Sequence, residues 1–285
     1  MNVGATPNPT GDQFEAKEAF SSRDSWLDFR SRNAWISSTS HMRDMANYAK
    51  EHGVTSDFLG YIPPDSISIL NENYREAFIA AGFNSRQRTI LDLAYEVLSG
   101  RPRDEPRIFA HKALSDFALF FRGRYPFFIG SEYAETKAEE ARLFPIQCVD
   151  ITRSPFPDEI FDLVLSCEVL EHVSDLEAAL RDTARILRRG GLLLATVPFD
   201  FDTYDTLVKA TIVDGEIAYL TDPEYHGNPI DPQKGSLVFQ IPGWSLLDLC
   251  RSTGFSTAEM VFWASRKRGF IATKAAGVFV LRAVR

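Results

Sequence analysis

Residues Cys148–Phe199 read CVDITRSPFPDEIFDLVLSCEVLEHVSDLEAALRDTARILRRGGLLLATVPF, and this stretch decides the fold. Two apolar runs, Phe161–Ser166 and Leu192–Val197, flank a segment in which leucine and alanine recur at helical spacing. A short, almost wholly apolar run is typical of a strand that is covered on both faces. The strand–helix–strand order is that of a βαβ unit, so the stretch predicts an α/β protein with a parallel sheet.

The ends of the central helix carry their own signals. Ser174 with Glu177 three residues later predicts a capping box at the start of the helix. Gly190-Gly191 predicts its end.

Polar residues follow the predicted strands. Crossovers between parallel strands are right-handed, so the carboxyl ends of neighbouring strands open on one rim, where α/β sheets bind ligands. Six residues of the stretch are expected near that rim: Asp150, Cys167, Glu168, Glu171, His172 and Phe199.

The ordered phrase D…SPFPDEIFDLVLSCEVLEHV…ALRDTARILRRGGLLLATVPF resembles the second half of a class I S-adenosylmethionine-dependent methyltransferase, without a gap over about fifty residues. Each piece is common, but the ordered set is specific. The resemblance implies a Rossmann-like methyltransferase fold: α/β, with a doubly wound, mostly parallel seven-stranded sheet whose last strand is antiparallel. It also implies S-adenosylmethionine as the cofactor.

Composition, periodicity and this resemblance together predict how the rest of the chain is organised. Residues 1–84 are predicted to be an N-terminal extension, irregular and partly disordered to about residue 40 and then helical. Residues 85–285 are predicted to be the methyltransferase-like domain, with a long insert at 200–243. Further helices are predicted at 41–52, 84–98 and 245–253, and further strands at 107–110, 127–130, 145–150, 258–265 and 277–284.

In the resembled family the cofactor lies along the carboxyl ends of the first four strands of the sheet. An acidic residue after the second strand binds the ribose hydroxyls, and Glu132 has that place. Asp150, with the backbone of Ile151, has the place that meets the adenine amino group; the alternative is that Asp150 only caps its own loop. The other candidates for cofactor contact are Ala110, His111, Tyr133, Cys167 and Glu168.

The chain departs from the family after the first strand of the sheet, where a glycine-rich turn is usual. No glycine occurs between Gly100 and Gly123, and Ala110–Ala113 occupy the place of the turn. A Cβ on each residue narrows the approach of a cofactor. The cofactor then binds in a shifted pose, binds weakly or does not bind, and His111 is either a hydrogen-bonding loop residue or a catalyst.

The 200–243 insert is expected to build the acceptor pocket. Its polar and aromatic candidates are Tyr204, Tyr225, His226 and Asn228, and His172 either borders the substrate side or is structural. His226 suits a general base for a hydroxyl acceptor, because imidazole titrates near neutral pH. The alternative is a histidine that caps its own turn.

Composition limits the other possibilities. The net charge of −8 argues against general nucleic-acid binding. Three cysteines far apart in sequence predict reduced thiols, and no metal site is expected. No apolar run reaches membrane-spanning length and no signal region is visible, so no membrane association and a cytoplasmic location are expected.

The leading functional hypothesis is methyl transfer from S-adenosylmethionine to an oxygen or nitrogen of a small molecule, a sugar or a secondary metabolite. One alternative is a catalytically inactive binding or scaffold protein that has lost the glycine-rich cofactor loop. Another is an enzyme that uses the same fold for a different nucleotide-like ligand. The sequence leaves the acceptor and the oligomeric state open.

Overall fold

The computed structural model describes residues 11, 13–228, 230–231 and 233–285. Residues 1–10, where the irregular start was predicted, lie outside the described residues. The α-helices are α1 (Arg23–Arg32), α2 (Thr39–His52), α3 (Tyr74–Ala77), α4 (Ser85–Leu98), α5 (Asp116–Arg122), α6 (Lys137–Leu143), α7 (Leu176–Ile186) and α8 (Ser245–Ser252). Short 3-10 helices are Ala34–Ser37, Pro64–Ser66 and Leu170–His172.

The strands are short outside the main sheet. They are β1 (Glu15–Phe20), β2 (Val54–Ser56), β3 (Gly60–Ile62), β4 (Ile67–Ile69), β5 (Phe78–Ala80), β6 (Phe83–Asn84), β7 (Ile108–Ala110), β8 (Phe128–Glu132), β9 (Gln147–Cys148), β10 (Phe161–Cys167), β11 (Leu187–Thr196), β12 (Leu207–Val208), β13 (Ala210–Val213), β14 (Glu216–Tyr219), β15 (Tyr225–His226), β16 (Ser236–Leu237), β17 (Gln240–Ile241), β18 (Thr257–Ser265) and β19 (Val278–Val284).

The chain divides into two compact units, and the division differs from the predicted boundary at residue 84. Of the described residues, those up to 99 and those from 260 to 280 form the first unit, and those from 100 to 259 and from 281 to 285 form the second. Helix α4, which we expected to lead into the sheet as part of the methyltransferase-like domain, belongs to the first unit. A contiguous boundary was predicted because sequence order alone does not show that residues near the carboxyl terminus pack with the amino-terminal ones.

Within the first unit, residues 15–32 are ordered, contrary to the irregular arm that was predicted. Strand β1 pairs antiparallel with β18, Glu15 opposite Ser265 and Phe20 opposite Met260. Trp26 on α1 is fully buried, with its ring 5.2 Å from that of Phe262. The strand that pairs with β1 comes some 240 residues later in the chain, so the local sequence pattern does not reveal it.

Two helix signals were misread. Helix α7 is capped by Asp175, whose side chain accepts a hydrogen bond from the Ala178 amide, and not by Ser174. The helix ends at Ile186, and Gly190 lies within β11 with a φ of +76°. Glycine therefore serves a turn of the backbone in the strand's first half and does not stop the helix.

The second unit contains the sheet that the βαβ pattern predicts. Its strand order is β9, β8, β7, β10, β11, β19, β18. Of the last two strands, only residues 281–284 of β19 and 257–259 of β18 belong to this unit. Strand β10 is parallel to both neighbours, with Leu165 opposite Ala110 of β7 and Cys167 opposite Thr196 of β11. Strand β19 is antiparallel to β11. The doubly wound, mostly parallel α/β class with an antiparallel last strand is confirmed.

The described part of the insert at 200–243 contains three pairs of short strands. Strands β12 and β17, β13 and β14, and β15 and β16 pair antiparallel with one another. His226 is the last residue of β15 and lies opposite Ser236. These strand pairs follow the carboxyl end of β11 in the chain.

Two sequence-based expectations bear on the chemistry of the whole chain. All three cysteines are free thiols, as predicted. Among the helices that the structure describes, none is both long enough and apolar enough to cross a membrane.

The packing of α1 predicts the effect of one substitution in the first unit. Trp26→Ala should lower the free energy of unfolding by about 3–5 kcal/mol, the usual loss for a buried large aromatic side chain. Leu70→Ala, at a side chain that is 76% exposed, is the control and should change it by less than about 0.5 kcal/mol. Urea unfolding measures both, and equal midpoints for the two variants would show that α1 contributes little to the core.

Candidate active site at the carboxyl ends of the strands

The loop after β7 packs against β8 without the usual glycines. Glu132 Oε1 accepts hydrogen bonds from the amides of Ala113 at 2.9 Å and Leu114 at 2.7 Å. A Cβ on Gly130 would lie 3.0 Å from Ala113 Cα and 3.2 Å from the Lys112 carbonyl oxygen. The close approach is therefore provided by a glycine in the strand, where the family usually has glycines in the loop.

His111 belongs to the core of the second unit. Its amide donates to the Leu165 carbonyl at 3.0 Å, and its ring Nδ1 lies 3.1 Å from Ser166 Oγ. Burial lowers the pKa of His111 to about 3, so the ring is neutral at physiological pH. These contacts favour the hydrogen-bonding alternative over a catalytic role.

Asp150 is engaged by its own loop. Its Oδ1 accepts from the amide of Thr152 at 2.9 Å and from the hydroxyl of Thr152 at 2.7 Å, and Arg153 lies 3.3 Å from Oδ2. This is the capping arrangement that the sequence left open as the alternative. Its neighbour Ile151 is buried, whereas Tyr133 after β8 is exposed.

Cys167 and Glu168 continue β10 to the rim. Both are half-buried. The Glu168 amide donates to the Thr196 carbonyl at 2.9 Å, and Glu168 has a φ of +50°. Left-handed backbone at a residue other than glycine costs free energy and is concentrated at functional sites. The chain therefore turns sharply where β10 ends.

After this turn, the 3-10 helix Leu170–His172 holds the insert. The Phe239 amide donates to the Glu171 carbonyl at 2.8 Å. Gln240 Nε2 donates to the carbonyls of Leu170 at 3.0 Å and Val173 at 2.8 Å. These hydrogen bonds fix the second half of the insert against the end of β10.

Three side chains meet at this junction, and we call them the Glu171 cluster: Glu171, His172 and His226. Glu171 Oε1 lies 3.5 Å from His172 Nε2 and 3.6 Å from His226 Nδ1. The two imidazole rings are 5.1 Å apart and nearly perpendicular. The structure thus brings together His172 and His226, which the sequence proposed separately for the substrate side.

Glu171 was expected near the rim but was not proposed as a site residue. Its side chain is fully buried, and neither carboxylate oxygen makes a hydrogen bond with a residue that the structure describes. The available signal was an acidic residue next to a histidine, with apolar residues on both sides, in the phrase Val169–Val173. A buried carboxylate is costly unless it is paired, so such a residue is a candidate for a site.

The surroundings of the cluster shift the pKa values of its two histidines in opposite directions. The pKa of His226 is raised, first by the Glu171 carboxylate, with burial opposing and Glu224 adding to the effect. The pKa of His172 is lowered, chiefly by burial. Glu224 accepts a hydrogen bond from Lys209 at 2.8 Å, which with His226 lowers the pKa of Glu224. His226 is therefore the more readily protonated of the two rings.

The other insert candidates have partners of their own. The Tyr204 hydroxyl donates to Asp248 at 2.6 Å. The Tyr225 hydroxyl lies 3.2 Å from that of Tyr219. Asn228 caps its turn by accepting from the Ile230 amide at 2.9 Å. The described contacts do not connect these three side chains to the Glu171 cluster.

The buried neutral ring of His111 predicts a pH dependence of stability. Its pKa falls from 6.5 to about 3 on folding, so between these values only the unfolded chain binds the proton. Stability should fall as the pH drops below about 6.5, by up to about 1.4 kcal/mol per pH unit from this residue. His111→Asn should flatten that slope in urea unfolding between pH 4.5 and 7. His52→Asn, at an exposed histidine, is the control; an unchanged slope in His111→Asn would refute the assignment.

Comparison with known proteins agrees with the sheet. Residues 129–195 match the sequence model of the methyltransferase domain family. Demethylmenaquinone methyltransferase of Mycolicibacterium paratuberculosis is 40% identical over 75 residues, 26% of this chain and 31% of that protein. The protein of the same name from Mycobacterium tuberculosis is 46% identical over 74 residues, 26% of this chain and 30% of that protein.

The chain thus spans less than a third of the length of these curated relatives. Among solved structures, the S-adenosylmethionine-dependent methyltransferase of Mesorhizobium loti is 17% identical, with a TM-score of 0.40. That match covers 67% of this chain and 96% of the other. The segment from β8 to β11 is therefore similar to the methyltransferase domain family, and it lies in the mostly parallel sheet of the second unit.

Proposed function

We propose that the protein transfers a methyl group from S-adenosylmethionine to an oxygen or nitrogen of a small-molecule acceptor. The observation that carries the proposal is the content of residues 129–195. This family-matched segment includes Glu132 at the end of β8 and the turn after β10 at which the insert is held. The proposed donor site and the proposed acceptor site would then adjoin the same edge of the sheet.

The residues at the strand ends suit the cofactor in the following way. Both loop amides bind Oε1 of Glu132, so we assign Oε2 to the ribose hydroxyls. Ribose hydroxyls donating to a carboxylate form charge-assisted hydrogen bonds. Asp150, whose side chain is 36% exposed, and the backbone of Ile151 are assigned to the adenine. Ala110, His111, Tyr133, Cys167 and Glu168 complete the proposed lining.

When bound, S-adenosylmethionine supplies a methyl group activated by a sulfonium sulfur. The chain's own contribution is to align the acceptor and take its proton. His226 Nδ1 is the candidate base, because its pKa is raised and the Glu171 carboxylate stabilises the imidazolium that forms. His172, Tyr204, Tyr225 and Asn228 remain the proposed substrate-side residues.

The surface of the insert favours an acceptor with an apolar part, a secondary metabolite more than a sugar. Exposed clusters of apolar side chains mark binding surfaces. The insert exposes Leu207, Val208, Ile212, Val213, Ile217 and Leu220. The two curated relatives are named for an activity on demethylmenaquinone, which is compatible with that preference. Their similarity to this chain, however, covers only the shared segment.

One observation favours the second candidate, an inactive methyltransferase-like binding protein. The glycine-free loop already uses Glu132 as its anchor, and Gly130 allows Ala113 to pack directly on β8. A cofactor that needs the same space would have to displace this loop. Cofactor binding therefore separates the two candidates.

Titration calorimetry with S-adenosylmethionine and S-adenosylhomocysteine tests the proposal. We expect saturable binding of both ligands to the folded protein. Absence of heat at millimolar ligand, with circular dichroism showing a folded chain, would support the inactive relative instead.

Two substitutions at Glu132 separate its loop contact from its proposed ribose contact. Glu132→Gln keeps an acceptor for the Ala113 and Leu114 amides, so its melting temperature should barely change while cofactor affinity falls by about 1–3 kcal/mol. Glu132→Ala should lose both affinity and stability. Glu140→Ala, at an exposed glutamate on α6, is the control. Full affinity in Glu132→Gln would place the ribose elsewhere.

His226 is tested by turnover, measured as S-adenosylhomocysteine released in the presence of an acceptor found by screening. His226→Asn should lower turnover by about 10²–10⁴-fold and leave cofactor affinity intact, as expected for loss of a general base. Unchanged turnover per folded molecule would show that His226 is not a base and only caps its own turn.

A further inference from the structure

We propose that Glu171, His172 and His226 bind one divalent first-row transition-metal ion. Each residue offers one ligand atom, and no two of these atoms are more than 4.8 Å apart. All three residues belong to the second unit, and the hydrogen bonds of the insert hold them together. Sequence reasoning expected no metal, because it did not connect His226 with the LEHV phrase.

In each histidine, the ring nitrogen that faces away from Glu171 already has a hydrogen-bond partner. His172 Nδ1 donates to the Leu237 carbonyl at 2.8 Å, which leaves Nε2 as a lone pair facing Glu171. His226 Nε2 lies 3.2 Å from Glu224 Oε1 and donates to it, which leaves Nδ1 facing Glu171. A carbonyl or carboxylate behind each ring is the arrangement that orients metal-binding histidines.

When both histidines are neutral, the inward side of the cluster lacks a positive partner. In these tautomers two nitrogen lone pairs and a carboxylate oxygen face one another, and all three are electron-rich. Glu171 is fully buried, and neither of its oxygens makes a hydrogen bond within the part of the chain that the structure describes. An unpaired buried carboxylate is strongly unfavourable. A cation bound among the three atoms would satisfy all of them at once.

The spacing suits such an ion. Two ligand atoms about 2.1 Å from a metal, separated by a tetrahedral angle, lie about 3.4 Å apart. The carboxylate-to-histidine separations here are 3.5 and 3.6 Å. These two separations match a metal site, and the two histidine nitrogens, which lie within 4.8 Å of each other, would move closer together on binding.

The donor set selects the class of ion. Two imidazole nitrogens and one carboxylate favour ions such as Zn²⁺, Fe²⁺ or Co²⁺. Mg²⁺ prefers oxygen ligands in octahedral geometry and should bind much more weakly. Three protein ligands leave a coordination position open for an oxygen from a bound molecule.

The chemical use of that position rests on the proposed function, although metal binding itself does not. An acceptor oxygen held there would be oriented, and the metal would lower its pKa. His226 would then act as a ligand, and a separate base would be unnecessary. Metal dependence of turnover thus distinguishes the two roles of His226.

The experiment uses the full chain without a histidine tag, stripped with a chelator and dialysed. Titration with Co²⁺, followed by visible absorption, and with Zn²⁺, followed by calorimetry, should show one equivalent bound per chain. Glu171→Gln and His226→Ala should each weaken binding at least 100-fold. His52→Ala is the matched control, since His52 is exposed beside Glu51 at 3.7 Å and should bind as the parent does.

A fourth variant tests the outer contacts. Glu224→Gln removes the carboxylate behind His226 and should weaken Zn²⁺ binding by about 10–100-fold, the usual effect of losing such a partner. If Glu171→Gln fails to fold, His226→Ala, at a half-buried hairpin residue, carries the test alone.

The outcomes are decisive for the site and separate from those for the function. Zn²⁺ and Co²⁺ binding that is no tighter in the parent than in folded His226→Ala would overturn the proposal and leave a proton shared within the cluster. One equivalent of metal without any binding of S-adenosylmethionine would sustain the site and refute the methyltransferase activity. Binding of S-adenosylmethionine without metal binding would refute the metal site and leave the proposed function standing.

Discussion

The pairing of β10 with β7 on one side and β11 on the other is the constraint on which the site depends. Both pairings are parallel, so the chain leaves β10 and β11 at the same edge of the sheet. The turn at Glu168 then directs the 3-10 helix Leu170–His172 away from the strand. Because the Phe239 amide and the Gln240 side chain bind the insert to the backbone of this short helix, the position of His226 depends on where β10 ends.

The glycine-poor loop shows how one structural requirement can be met from a different position in the sequence. A close approach between the loop after β7 and strand β8 needs a missing Cβ on one of the two. Here Gly130 in β8 provides it, and Glu132 two residues later accepts from the loop amides. The absence of glycines from the loop does not reveal this close approach, because the residues that compensate for it lie on β8.

Periodicity predicted the parallel sheet because burial on both faces imposes continuous apolar runs, as in β10 and the second half of β11. It failed for β1 and α1, whose partners Phe262 and Met260 are distant in sequence. In the site, the resemblance led to Glu132 and Asp150, but their loop contacts arise from local backbone geometry that a motif does not encode. His172 and His226 were singled out separately, and only the tertiary structure shows that Glu171 joins them.

The Glu171 cluster is therefore the place where stability and function conflict most. A side chain of similar shape without charge would satisfy the packing around Glu171 at less cost in free energy, because no described group donates a hydrogen bond to it. The surrounding contacts nevertheless favour the charged residue, because Leu237 and Glu224 hold the two histidines with their inward nitrogens facing the carboxylate. Lys209 in turn neutralises Glu224. Two histidines that are oriented toward one buried carboxylate form a place where a bound cation would offset the charge of Glu171.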